Sequence, residues 1–247
     1  MAFCTEAAMV LYYDIAGDTA DHDDWHTYEH MHERLSVPGF MRASRWVAAD
    51  AATAPRYLVV YEVTGTDIAT APAYLERLNN PTPWTSAMMP RFRGMVRGFA
   101  AATAGAGFGL GCAAVSLRFA PQPGREQALI DSLGRDILPA MASRRGMAGL
   151  RLLRPAPPPP MTREQAIRGA DAPLAWLLLA TAYDAGALQD AVADHCGGAA
   201  LKQAGAAPGI AAGRYSLHYT ASAPEAARIS PNPPLRPDLR QAAGVRR

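Results

Sequence analysis

Residues 8–15 read AMVLYYDI, and residues 21–48 read DHDDWHTYEHMHERLSVPGFMRASRWVA. The first stretch is an apolar run with two tyrosines, which is typical of a β-strand. Residues 21–35 contain neither glycine nor proline and predict a helix, which the Pro38-Gly39 pair ends. Phe40–Ala48 predicts a second strand. A strand, a helix and a returning strand therefore open the chain and set the pattern of the fold.

The order of elements predicts an internal repeat. After the opening elements, a strand over Tyr57–Val63, a helix over 68–78 and a strand over 91–101 complete the order β-α-β-β-α-β. The second half repeats this order, with strands predicted at 112–119, 146–154, 175–183 and 214–220 and helices at 124–142 and 187–195.

Each half has the order of a ferredoxin-like unit, whose helices cover only one face of its sheet. The free faces of the two sheets are expected to cover each other within one chain. The predicted fold class is therefore α+β: two tandem ferredoxin-like repeats whose antiparallel sheets pack face to face as an α/β barrel, with helices outside.

Composition within the chain predicts the boundaries of the two halves. The first repeat is expected over 1–102 and the second over 112–220, with an Ala/Gly linker at 103–111 between them. A tail rich in Pro and Arg at 221–247 is expected to be poorly ordered or wrapped across the surface. Five prolines within 155–160 predict an extended excursion on the surface of the second half.

Whole-chain composition excludes several classes of protein. Of the 247 residues, 49% are hydrophobic and 19% charged, which suits a globular core and argues against disorder. The 24 basic and 22 acidic residues leave no surplus for a polyanion, so no nucleic-acid partner is expected. The longest apolar run, at 174–182, is about half of a bilayer span, and the first residues lack the basic region of a signal peptide. A cytoplasmic protein without a membrane partner is expected.

The three cysteines predict neither a disulfide framework nor a metal site. Cys4, Cys112 and Cys196 are odd in number and widely spaced, without a CxxC pair. The pattern argues against a disulfide framework and against a zinc site built from cysteines alone.

Four of the six histidines lie between residues 22 and 32. On a helix, His22, His26 and His30 share one stripe, whereas His32 lies about 200° around the axis from His30. Three interpretations stay open. His26 and His30 could bind a metal with Asp23 or Glu29, a histidine could act as an acid or base, or the helix could present a solvated polar face with structural histidines.

The stretch WHTYEHMHER at 25–34, followed by VPGFMRASR at 37–45, resembles bacterial dimeric α/β-barrel proteins related to the EthD group. Their pattern is W-Y-x-x-E-H-x-x-E-R and then P-G-F-x-R-x-x-R. The stretch PTPWT at 81–85 is similar to that group as well. The resemblance covers the first half well and the second half mainly through its order of elements.

The resemblance implies a ferredoxin-like α+β barrel. The superfamily includes cofactor-free monooxygenases, lactone isomerases, polyketide cyclases and decarboxylases, together with haem-processing members and many proteins of unknown function. By the pattern, His30 corresponds to the EthD-like histidine, with Glu29 before it and Arg34 after. One departure is His26, which stands where the family usually has tyrosine.

Candidate site residues follow from these patterns. The predicted catalytic residues are His30 as general acid or base, Glu29 or Asp14 as its orienting carboxylate, and His26. Arg42 and Arg45 are predicted either to bind the carboxylate of a substrate or to pair with Glu29 and Glu33. The predicted aromatic lining of a pocket between sheet and helix consists of Trp25, Trp46, Tyr61 and Trp84.

The leading functional prediction is a cofactor-independent enzyme that acts on a small aromatic or polyketide-like acid or lactone by histidine acid/base chemistry. The alternatives are a non-catalytic ligand-binding or stress-response barrel and, less favoured, a metal or haem binder. A small-molecule ligand in the barrel and a possible homodimer are expected, with no metal site and no cofactor. The first helix of the second half has no histidine, so the halves are expected to be unequal.

Overall fold

The computed structural model describes residues 5–229. Its first half contains strands β1 (Ala7–Ile15), β2 (Phe40–Ala48), β3 (Tyr57–Val63) and β4 (Phe92–Ala106) and helices α1 (19–35), α2 (Pro72–Asn79) and α3 (Pro83–Met88). Short 3₁₀ turns at Thr66–Thr70 and Met89–Arg91 adjoin α2 and α3.

The second half follows the same plan with additions. Its strands are β5 (Ala113–Phe119), β6 (Met147–Pro155), β7 (Ala172–Pro173), β8 (Trp176–Ala182) and β9 (Ala211–Ser222). Its helices are α4 (126–142), α5 (Arg163–Arg168), α6 (Ala185–Cys196), α7 (Gly198–Ala204) and the short α8 (Ala223–Ala226).

Eight antiparallel strands close into a barrel. Their order is β1-β3-β2-β9-β5-β8-β6-β4, and β4 pairs again with β1, while β7 adds to β4 as a short parallel strand. Two seams join the halves, because β2 pairs with β9 and β4 pairs with β6. The predicted α+β barrel of two face-to-face ferredoxin-like repeats is confirmed.

Strand alternation sorts the side chains of each strand onto two faces. In β1, Ala8, Val10 and Tyr12 belong to the cluster inside the barrel, which also contains Trp46. The alternate residues of the same strand, Met9 and Tyr13 among them, pack against the helices of the first half. The fold therefore has a core within the barrel and one core under the helices of each half.

Some elements have bounds that differ from the predicted ones. β2 and β3 have the predicted bounds, whereas β4 continues through 103–106 of the predicted linker. Residues 104–106 pair with 150–152 of β6, so backbone pairing across the seam extends a strand whose small side chains give a weak strand signal. The surface excursion after β6 contains the unpredicted helix α5. Residues 221–226 of the predicted tail belong to β9 and α8, and 230–247 lie outside the described residues.

None of the helices formed by residues 5–229 has the length and apolar character that a bilayer crossing requires.

Candidate active site

A small cavity lies between helix α1 and the helix-facing side of the first-half sheet. Its volume is about 30 Å³, which is room for roughly two water molecules. Aromatic rings, thioethers, two histidines and four charged side chains form its wall. The lining residues are Met9, Leu11, Tyr13, Trp25, His26, His30, Arg34, Tyr61, Tyr74, Leu78, Met89, Phe92, Met95, Arg97, Glu164 and Arg168. The cavity therefore lies outside the barrel, under the histidine-rich helix.

Helix α1 contains a π-helical turn at His26–His30, between α-helical segments at Thr19–Trp25 and Met31–Leu35. The Met31 N–H donates to the His26 carbonyl, five residues back. In a regular α-helix each four-residue step rotates the side chain about 40° further around the axis, and the wider π turn reduces this drift. The rings of His22, His26 and His30 accordingly form a row, with centroids 5.5 and 5.7 Å apart.

The corresponding helix of the second half has an equivalent π turn but apolar side chains at the positions of the histidines. Helix α4 contains a π turn at Leu133–Ile137, and the turn after each helix has a glycine with positive φ, Gly39 at 95° and Gly146 at 93°. Aligned on these features, the first-half stripe of His22, His26, His30 and Arg34 corresponds to Leu129, Leu133, Ile137 and Met141. The second-half stripe packs in an apolar core. The fold therefore does not require polar residues at these positions.

His22 anchors the N-terminal end of the row. Its Nδ1 lies 3.0 Å from Asp23 Oδ1 and its Nε2 lies 3.1 Å from the Tyr13 hydroxyl. Burial opposes ionisation of Asp23, but the His22 hydrogen bond and the Arg45 charge outweigh it and lower the pKa of the carboxyl. The ionised carboxylate accepts from the Nδ1–H, so Nε2 accepts from Tyr13. Burial lowers the pKa of His22, which favours this neutral form.

His26 occupies the middle of the row with both ring nitrogens engaged. Arg45 Nη1 lies 3.2 Å from its Nδ1, and the Tyr61 hydroxyl lies 3.2 Å from its Nε2. A guanidinium only donates, so Nδ1 accepts and the Nε2–H donates to the Tyr61 oxygen. Burial and then the Arg45 charge lower the pKa of His26 well below its usual range. In this arrangement the Tyr61 hydroxyl accepts from His26, and Tyr61 also lines the cavity.

His30 ends the row of histidines. The side chain is 9% exposed, its ring centroid lies 4.3 Å from that of Trp25, and within residues 5–229 its Nδ1 has no hydrogen-bond partner. Burial and then the positive charges of Arg34, Arg168 and Arg97 lower the pKa of His30 well below its usual range. The cavity is thus lined by a neutral imidazole whose Nδ1 has no hydrogen-bond partner within residues 5–229.

Arg34 lies four residues after His30 and on the same face of the helix. It is 2% exposed, and its Nη2 lies 2.6 and 2.7 Å from the two carboxylate oxygens of Glu164. Its Nη1 is buried and has no hydrogen-bond partner within the described range. Glu164 and Arg168 lie on α5, so the second half closes the cavity of the first half.

The predicted carboxylates lie away from the cavity. Glu29 accepts hydrogen bonds from the hydroxyls of Thr82 and Thr85, and burial raises its pKa. Asp14 is exposed at the end of β1, where it accepts the Arg56 N–H at 2.7 Å. Of the predicted catalytic group, the structure brings only the two histidines, His26 and His30, to the cavity.

The predicted aromatic residues divide between three places. Trp25 and Tyr61 line the cavity. Trp46 faces the opposite side of the sheet, inside the barrel, and its indole N–H donates to Ser44. Trp84 is buried on α3 and donates to Asp21.

Neither predicted arginine lines the cavity. Arg42 pairs with Glu62, and not with Glu29 or Glu33, on the side of β2 and β3 that faces the barrel interior. Arg45 is 3% exposed and donates to His26, to the hydroxyl of Thr27, to His218 and to the Asp23 carbonyl. Arg45 therefore positions the helix and sets the tautomer of His26.

Arg34, Glu164 and Arg168 were absent from the predicted site. Arg34 follows His30 at the same four-residue spacing as the histidines, so extending the stripe by one step identifies it. Glu164 and Arg168 carry no such signal, because they reach the cavity only through the packing of α5 against the first half.

A metal interpretation of the histidine row gains no geometric support. Within residues 5–229 no group of three or more His, Cys, Asp and Glu side chains is arranged to hold a metal ion. Both nitrogens of His26 are also engaged by protein groups.

The sequence matches no protein-family model and no curated protein. In structure the chain resembles an anthrone oxidase-like protein, with 12% identity, a TM-score of 0.60, and coverage of 90% of this chain and 95% of that one. It also resembles candidate monooxygenases from Fusobacterium nucleatum (9% identity, TM-score 0.56, coverage 89% and 96%) and Lactobacillus acidophilus (10% identity, TM-score 0.55, coverage 89% and 97%). At these identities the likeness establishes the fold alone, which is the ferredoxin-like α+β barrel.

Proposed function

We propose that the chain is a cofactor-independent enzyme that transfers a proton on a small aromatic or polyketide-like acid or lactone, with His30 as the base. One observation carries the proposal: the buried His30 lines a cavity with an unengaged ring nitrogen, at a position where the other half has the apolar Ile137. A buried polar atom without a partner is costly, and a ligand that supplies the partner accounts for its presence.

The proposed step is a single proton transfer. His30 Nδ1 takes a proton from an acidic C–H or O–H of the substrate, whose electron pair stays behind as an enolate or phenolate. Arg34 Nη1 and the Tyr61 hydroxyl are the donors that line the same cavity and would stabilise the developing oxyanion. Return of the proton to a different atom of the anion gives an isomerised product.

The low basicity of His30 limits the substrate. Its pKa lies well below the usual range for histidine, so it removes protons only from acidic positions. Methylene groups between carbonyls and ring ketones of the anthrone type have such protons, and one protein of similar fold is an anthrone oxidase-like protein. The WHTYEHMHER pattern supports the further proposal that the chain is related to the EthD group.

The decisive experiment compares His30→Gln with His32→Gln. His32 lies on the same helix and its Nε2 is also buried without a hydrogen-bond partner within residues 5–229, but it lines a separate groove beside β9. It is therefore a matched control that separates the cavity position of His30 from an unpaired imidazole nitrogen as such. With anthrones and β-dicarbonyl compounds that carry a carboxylate as substrates, turnover should fall by about 10²–10⁴ in His30→Gln and stay near wild type in His32→Gln. Circular dichroism and thermal unfolding would check that both variants fold.

Unchanged turnover in His30→Gln would reject His30 as the base. Tight binding of these compounds without turnover by the wild-type protein would favour the non-catalytic ligand-binding alternative instead.

A further inference from the structure

We propose that the ligand of this cavity is an aromatic carboxylate, and that Glu164 occupies on Arg34 the place which the ligand's carboxylate takes when it binds. The inference rests on the proposed function, since it names the charge of the substrate. It assigns segment 156–173, which contains α5 and is called the lid below, a role in admitting that substrate.

The lid crosses from the second half to the site of the first half. It begins within the proline-rich stretch, forms α5, turns at Gly169 with a φ of 100° and ends in β7 against β4. The Arg163 N–H donates to the Asn79 side chain of α2 at 3.0 Å. Two of its charged side chains, Glu164 and Arg168, line the cavity.

Positive charge exceeds negative charge around the cavity. The buried cations are Arg34, Arg97 and Arg168, and the buried anions that pair with them are Glu164 and Asp171. Arg168 contacts Asp171 at 2.7 and 2.8 Å, and Arg97 lies 3.4 Å from the same carboxylate. Glu33, next to Arg34, is only partly ionised at neutral pH because burial raises its pKa to about 7. Such a site favours an added anion over a neutral or cationic ligand.

The cavity is too small for an aromatic ligand while Glu164 closes it. A cavity of about 30 Å³ does not hold an aromatic ring, which needs on the order of 150 Å³. Withdrawal of Glu164 with the lid opens the cavity but leaves Arg34 buried without its partner, which is strongly unfavourable. A ligand that brings its own carboxylate restores the pair, and the same carboxylate can accept from Arg34 Nη1, which lacks a partner within the described residues. A neutral ligand cannot do this.

The test measures binding, independently of turnover. The probes are 1-naphthoate and its neutral analogue 1-naphthalenemethanol, titrated calorimetrically into wild type, Glu164→Gln, Arg34→Met and the control Glu76→Gln, whose carboxylate is exposed on α2. Glu164→Gln removes the competing charge and should bind 1-naphthoate roughly tenfold more tightly, a change of about 1.4 kcal/mol. Arg34→Met should lose this binding, Glu76→Gln should match wild type, and the neutral analogue should show no tightening in any protein.

Where a variant is too unstable for calorimetry, the shift of its Tm on adding 1-naphthoate reports binding instead. 1-Naphthoate should raise the Tm of Glu164→Gln by more than that of wild type, since it re-pairs the buried guanidinium. Equal affinity for both probes, no tightening in Glu164→Gln, or no binding of 1-naphthoate to any protein would overturn the proposal. Loss of turnover in His30→Gln together with any of these results would show that only the carboxylate assignment fails.

Discussion

Arg34 Nη2 lies 2.6 Å from one carboxylate oxygen of Glu164 and 2.7 Å from the other, although 130 residues separate the two along the chain. Arg34 is on the histidine helix of the first half and Glu164 is on the lid of the second half. Because the contact joins the halves at the cavity, neither repeat by itself contains the complete site.

Breaking this pair on one side should be costly. Arg34→Met leaves Glu164 buried without its partner and should lower the free energy of unfolding by about 3–5 kcal/mol. The double variant Arg34→Met/Glu164→Leu removes both charges and should recover most of that loss. Urea denaturation measures both. The control is Arg144→Met, which breaks an exposed pair with Asp194 and should cost far less, because water screens exposed charges. A double variant no more stable than Arg34→Met would contradict the account.

The buried histidines predict how stability responds to acid. The pKa of His30 is well below its unfolded value of about 6.5, so below that pH the unfolded chain binds a proton that the folded chain does not. Stability is therefore present above pH of about 6.5 and is lost as pH falls through this value. Below this pH, wild type should lose stability relative to His30→Gln by up to about 1.4 kcal/mol per pH unit.

The raised pKa values of Glu29 and Glu33 act in the opposite direction, but both carboxyls are present in both proteins, so the comparison cancels them to first order. Denaturant melts between pH 5 and pH 8 give the difference. Parallel curves for wild type and His30→Gln would show that His30 titrates normally.

Equivalent positions in the two halves should respond differently to mutation. His26→Leu copies the residue Leu133 of the second half, so the fold should tolerate it while binding of 1-naphthoate weakens. Leu133→Ala opens a cavity in the second-half core and should cost about 2–5 kcal/mol of stability, with binding of 1-naphthoate unchanged. Calorimetry and urea melts on the two variants make the comparison. Equal effects of both variants on binding would show that the polar stripe has no special role.

The turn between the halves offers a matched pair of glycines. Gly107 and Gly109 have φ values of +69° and +76°, so alanine at either position pays about 1–2 kcal/mol for left-handed backbone. A Cβ at Gly107 would also collide with the Ala148 carbonyl, whereas nothing lies within 4 Å of a Cβ at Gly109. Gly107→Ala should therefore lower the Tm clearly more than Gly109→Ala, and equal shifts would argue against the packing of this turn on β6.

Local pattern was enough to predict the elements with strong periodicity. β2 and β3 are rich in Val, Tyr and Trp and have the predicted bounds, and the absence of glycine and proline marks most of α1. The pattern also selected His26 and His30, because residues four apart share a helix face regardless of what the helix packs against.

Local pattern could not decide which face of the sheet a side chain joins. Arg42 and Arg45 lie three residues apart on one strand, and the strand alternation sends Arg42 toward the barrel interior and Arg45 toward α1. A β-strand turns every second side chain to the other face, and only the packed sheet shows which face borders a cavity.

By itself, therefore, the sequence determined the two ferredoxin-like repeats, the barrel class and the histidine stripe, because these depend on spacing along the backbone. Tertiary structure alone decided that the stripe lies over a cavity outside the barrel, that Glu164 and Arg168 complete it, and that His30 keeps an unengaged nitrogen there. The physical reason is that burial, charge pairing and hydrogen-bond partners are set by residues distant in the chain, and no local spacing encodes which of them meet.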